Sequence, residues 1–111
     1  MKKILMVGTG GTIASEMTAE GLAPELNTEQ LLEFIPDIGK FCRVDCLQLY
    51  NLDSTNIRPA DWLGVADILR KSYDAYDGFV ISHGTDTMAY TAAALSYLVQ
   101  GSAKPIVLTG A

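Results

Sequence analysis

Gly8-Thr9-Gly10-Gly11-Thr12-Ile13-Ala14 follows directly on the apolar run Ile4-Leu5-Met6-Val7. The run is short and continuously apolar, the pattern of a strand buried on both faces. Three glycines within residues 8–11 let the backbone bend sharply and pass close to a ligand. Two threonines, Thr9 and Thr12, sit in the bend. Two readings stay open on this stretch alone. The threonines serve a tight strand-to-loop turn, or one hydroxyl is a nucleophile held at the end of a buried strand.

Residue identity counts against two commoner glycine-rich motifs. A dinucleotide fingerprint starting at Gly8 needs glycine at position 13, which is Ile13. A phosphate loop ends in Gly-Lys-Ser/Thr, and no lysine lies between Lys3 and Lys40.

Outward from that turn, strands and helices alternate. Ser15 to Pro24 is a polar loop, and Asn27 with Gln30 starts a helix that carries Leu31, Leu32 and Ile35 and stops at Pro36. A second strand is expected at 44–50. Pro59 opens a helix whose Trp62, Val65, Ala66, Leu69 and Tyr73 form one apolar face. A third strand is expected at 78–82 and a helix from Thr87 to Val99, favoured by Ala92-Ala93-Ala94. Gly101 ends that helix, and a fourth strand is expected at 105–109. This alternation predicts an α/β fold: a three-layer α/β/α arrangement around a mostly parallel sheet, with helices on both faces.

Composition narrows the function classes. The 111 residues suit one domain, with 49% hydrophobic and 19% charged residues. Eight Lys and Arg against 13 Asp and Glu leave a net charge of −5, so no nucleic-acid partner and no acidic membrane surface is expected. The apolar run after Lys3 stops at Gly8, short of a signal-peptide core of about 7–15 residues. A cytoplasmic chain is the expectation. Cys42 and Cys46 stand without the further Cys or His a zinc site needs, so neither metal nor cofactor is expected.

In a parallel sheet the strand C-termini share one edge, where open α/β sheets bind ligands. Thr9 and Thr12, then Asp53, Ser54 and Thr55, then Ser82, His83, Thr85 and Asp86, then Thr109 all fall there. Hydroxyls from several strands with one carboxylate suit a small polar ligand and acyl transfer. The alternatives are ordinary: Thr85 and Asp86 as caps of the following helix, Ser54 and Thr55 as loop polars, His83 as a prop for its turn. Lys104 precedes the fourth strand and so belongs to the opposite edge.

Thr9-Gly10-Gly11-Thr12-Ile13-Ala14 and His83-Gly84-Thr85-Asp86-Thr87-Met88 together resemble the two signature stretches of the bacterial-type L-asparaginase and glutaminase family. Asp77-Gly78-Phe79-Val80-Ile81 is similar as well, and Ala89-Tyr90-Thr91-Ala92 resembles the cytoplasmic type I branch. The resemblance implies hydrolysis of L-asparagine, or L-glutamine, to the acid and ammonia. It makes Thr12 the nucleophile, Thr85 the second threonine for proton transfer or water activation, and Asp86 the carboxylate for the substrate ammonium. Ser54, with Thr55 beside it, would hold the substrate carboxylate.

The chain also departs from the family pattern. Leu22 stands where the family's mobile loop carries a tyrosine. Family members are longer, have two domains and are expected to be homo-oligomers. The resemblance therefore makes 1–111 a partial N-terminal catalytic domain, without the family's catalytic lysine or C-terminal domain. By itself it is expected to be incompetent. Two other functions share the signatures. An amidotransferase subunit releases ammonia for amidation on a charged tRNA; it would need an extra N-terminal domain, and the strand beginning at Ile4 weighs against it. A non-catalytic amino-acid-binding remnant would keep the ammonium and carboxylate contacts alone.

Overall fold

The computed structural model describes residues 1–9, 36–50 and 54–110. Four strands form one sheet: β1 (Lys2–Gly8), β2 (Cys42–Gln48), β3 (Gly78–His83) and β4 (Ile106–Gly110). Their order is β2-β1-β3-β4 and every pairing is parallel. Two helices connect them, α1 (Pro59–Ser72) between β2 and β3, and α2 (Met88–Leu98) between β3 and β4. This is the α/β fold with a parallel sheet that the alternation predicts.

Strand alternation divides the core. Leu5, Val7, Phe79 and Ile81 face α1 and α2 and pack on Val65, Ala66, Leu69 and Leu95. Met6 and Val44 lie on the other face, with Ile4, Cys42, Cys46, Val80 and Ile38 against them. Both described helices cover the first face. The helix expected between Asn27 and Ile35 lies outside the described residues, as do Thr12 and Leu22. Cys42 and Cys46 are half-buried and pack against the second cluster.

Element boundaries move for local reasons. β2 runs two residues earlier than expected. The amides of Leu49 and Tyr50 both donate to the Gly8 carbonyl, at 2.9 and 3.2 Å, which draws the chain across the end of β1. Pro36 begins a 3₁₀ turn over Pro36–Lys40. Pro105 stays outside β4, and its carbonyl accepts from the Phe79 amide at 3.0 Å. Gly64 sits inside α1 because a Cβ there would lie 2.0 Å from the Tyr50 hydroxyl oxygen. Asp61 accepts from the Arg58 amide at 2.8 Å and so satisfies a donor at the start of α1. No described helix is long and apolar enough to cross a membrane.

Candidate active site at the strand C-termini

The strand order reverses between β1 and β3: β2 lies beyond β1 on one side, and β4 beyond β3 on the other. Such a switch point leaves a crevice outside the strand C-termini. β1 and β3 are in register there, with Gly8 opposite Ser82. Both signature stretches therefore leave the sheet side by side.

Thr9 closes this seam. Its amide and its hydroxyl both donate to the Ser82 carbonyl, at 3.1 and 2.7 Å, and the residue is buried. A hydroxyl so engaged clamps β1 to β3. Of the two threonines in the glycine turn, Thr9 is thus a structural one. A Cβ at Gly8 would come 2.5 Å from Gln48 Oε1, so the Gln48 side chain would have to shift.

Beyond β3 the chain runs Gly84-Thr85-Asp86-Thr87 before α2 starts at Met88. The N-cap is Thr87, so neither Thr85 nor Asp86 occupies the capping position. Both are exposed at the ligand edge. His83, by contrast, is only 1% exposed. Its Nδ1 lies 2.6 Å from the Gly84 carbonyl and its Nε2 lies 2.8 Å from Thr91 Oγ1. With both ring nitrogens bonded inside the protein, His83 props the turn, as one of the sequence readings has it.

Thr91 Oγ1 also accepts from Trp62 Nε1 at 2.8 Å. Residue-by-residue reading assigns Trp62 to an apolar helix face and gives Thr91 no role. The available signal was Thr91 itself, four residues before Leu95. A threonine on the buried stripe of a helix needs a hydrogen-bond partner. No buried side-chain polar atom among the described residues lacks one.

Ser54–Asn56 form a 3₁₀ turn shortly before α1, and Thr55 is exposed. Since α1 returns the chain from the end of β2 to the start of β3, its first residues share the edge with Thr85 and Asp86. Lys104 lies elsewhere. Its Nζ bonds the Tyr73 carbonyl and sits 4.5 Å from the centre of the Tyr73 ring, at the opposite edge. Among the described residues no group of three or more His, Cys, Asp or Glu could hold a metal. An open groove of about 820 Å³ runs along α2 beside β4, lined by Leu95, Val99, Ile106 and Leu108 among others.

This arrangement has known counterparts. An L-asparaginase of Thermococcus kodakarensis is 42% identical over 110 residues, covering 97% of this chain and 33% of that protein. The solved structure of the thermostable L-asparaginase from that organism matches with a TM-score of 0.84 at 41% identity, over 97% of this chain and 33% of its own. L-asparaginase I of Vibrio cholerae matches with a TM-score of 0.80 at 39% identity, over 98% of this chain and 33% of that one. A glutamyl-tRNA(Gln) amidotransferase subunit of Saccharolobus solfataricus is 40% identical over 111 residues, covering 97% of this chain and 25% of that protein. The chain thus spans a quarter to a third of the length of these relatives. Residues 3–111 match the family model described as asparaginase, N-terminal, and with it the parallel sheet and both signature stretches find their place: the chain belongs to the asparaginase family.

Proposed function

We propose that the chain supplies the nucleophile side of an amidohydrolase site that converts L-asparagine to L-aspartate and ammonia. The observation that carries this reading is the exposed Thr85-Asp86 pair on the loop leaving β3, next to the β1 exit that leads to Thr12. In this reading Thr12 Oγ attacks the side-chain amide carbon. The tetrahedral intermediate expels ammonia, and water then hydrolyses the resulting ester, with Thr85 placed for proton transfer. Asp86 holds the α-ammonium by a charge-assisted contact, and Ser54 and Thr55 hold the α-carboxylate. The chemistry uses side chains alone, without metal or cofactor.

A threonine hydroxyl needs a group to take its proton. His83 has both nitrogens engaged, and Lys104 is held at the far edge. Among the described residues neither of these is free to serve as that base, and the 111 residues, read as part of an N-terminal catalytic domain, are expected to bind the amino acid with little or no turnover. We read the whole enzyme as a cytoplasmic homo-oligomer. Calorimetry with L-asparagine, run beside an ammonia assay, tests the reading. Heat of binding without ammonia leaves the contacts standing and makes the chain a binding remnant on its own. No heat and no ammonia overturns it.

A second reading is favoured by the 40% identity to an amidotransferase chain. There the released ammonia would serve amidation on a charged tRNA. Ammonia release that depends on glutamyl-tRNA(Gln) would select it; release from L-asparagine alone would select the hydrolase.

A further inference from the structure

Three side chains from three elements meet behind the signature loop. Trp62 comes from the first turn of α1, Thr91 from the first turn of α2, and His83 is the last residue of β3. With the His83 ring neutral, their hydrogen bonds run in one direction. The Gly84 carbonyl only accepts, so His83 Nδ1 carries a proton. In the neutral ring Nε2 then accepts, and Thr91 Oγ1–H donates to it at 2.8 Å. An indole N–H only donates, and Thr91 Oγ1 accepts it, also at 2.8 Å. The chain of bonds runs Trp62 to Thr91 to His83 to Gly84. Thr91 is its pivot, since it must donate and accept at once. Thr91 and His83 are each 1% exposed, which makes a missing partner costly.

The relay ends on the peptide that precedes Thr85. A peptide unit is planar, so aiming the Gly84 carbonyl at His83 turns the Thr85 N–H the opposite way. We propose that Thr91, joined to Trp62 and His83, is a positioning residue that fixes this peptide plane and thereby aims Thr85 and Asp86. The inference rests on the amino-acid-binding reading above for its functional consequence. Its structural half, a relay that sets the conformation of 84–87, stands without it.

The test uses the 111-residue chain, ¹⁵N-labelled. Thr91→Val keeps the side-chain shape and removes donor and acceptor together; Thr91→Ser keeps both. Trp62 is the one tryptophan, so its indole N–H gives a single assignable resonance. In Thr91→Val that proton should exchange with water at least about tenfold faster. The amides of Thr85, Asp86 and Thr87 should shift or broaden, while those of Leu95 to Leu98 stay in place. L-aspartate affinity by calorimetry should fall about tenfold. Thr91→Ser should restore all three. Should Thr91→Val not fold, Trp62→Phe removes the N–H donor along with part of the ring and must move the same loop amides. Unmoved amides at 85–87, or a serine variant that fails to restore them, would overturn the relay. Absence of L-aspartate binding to the wild-type chain would count against the proposed function instead, and the loop amides still decide the relay.

Discussion

The two edges of the sheet are both polar, and they use their polar groups in opposite ways. At the N-terminal edge the groups bond one another and the backbone. Asp77 Oδ2 accepts from the Lys3 amide at 2.8 Å, and the Asp77 amide donates to the Lys3 carbonyl at 2.7 Å. The Tyr73 hydroxyl pairs with Ser102 Oγ at 3.2 Å and accepts from the Ala103 amide at 2.9 Å. These contacts hold the Tyr73 phenol below its usual pKa, Ser102 first. At the C-terminal edge the bonded His83 and Thr91 side chains are buried, and Thr85 and Asp86 are exposed beyond them. A structural edge satisfies its polar groups mutually; a binding edge needs a satisfied layer beneath a presented one.

The largest effects should separate the edges by activity. In a chain that carries activity, Thr12→Ala should lower ammonia release by about 10⁴-fold or more, as loss of a nucleophile does. Asp86→Asn should instead act on binding and raise KM steeply. Asp86→Asn should not shift Tm by more than about 1 °C, because Asp86 is exposed and plays no part in the described core. Near-wild-type turnover by Thr12→Ala would remove the nucleophile assignment.

The mirror experiment strikes the structural edge. Phe79 is 1% exposed, stacked on Tyr73 and edge-on to Tyr76, each at 6.1 Å between ring centres. Phe79→Ala should cost about 3–5 kcal/mol by urea unfolding. Phe79→Leu should cost less, and under conditions where it remains folded its L-aspartate affinity should be unchanged. A loss of affinity in folded Phe79→Leu would show that the two edges are coupled.

The order of the described elements was legible because hydrophobic runs and glycine or proline punctuation report on strands and helices directly. The exposed pair Thr85 and Asp86 was legible from its place after a buried strand. Three features were not. The clamp from the Thr9 hydroxyl to the Ser82 carbonyl is one, because a threonine in a glycine turn does not reveal which strand it faces. The Trp62–Thr91–His83 relay joins residues 29 and 8 positions apart, a relation no local periodicity encodes. The end of β2 depends on the Gly8 carbonyl drawing in Leu49 and Tyr50, which is a tertiary contact.

A moderate effect tests the close packing beside the C-terminal edge. Gly64→Ala places a methyl 2.0 Å from the Tyr50 hydroxyl oxygen, so Tyr50 must move. The single variant should lose about 1–3 kcal/mol. Adding Tyr50→Phe should recover much of it, since the clash is with the oxygen and alanine favours a helix interior by about 1 kcal/mol over glycine. Equal stability of the single and double variants, read by thermal unfolding, would place the strain elsewhere.

The smallest effect belongs to Asp77, and it depends on pH. Its carboxylate accepts the Lys3 amide and lies near the charges of Lys2, Lys104 and the N-terminus, so its pKa is lowered from 3.8 despite some opposing burial. A carboxyl group whose folded pKa lies below its unfolded one contributes stability that is fully present above the unfolded value. That contribution is lost as pH falls through the folded value. Asp77→Asn keeps an acceptor for the Lys3 amide and removes the charge, so it imitates the protonated acid at every pH. The wild type should melt slightly above Asp77→Asn at pH 6–7. The gap should shrink below about pH 3.9 and vanish once the folded group is protonated. Salt should narrow it too, because the carboxylate is exposed. A gap that holds constant from neutral pH down to acid unfolding would show that Asp77 ties β3 to β1 through hydrogen-bond shape alone, with its charge playing no part.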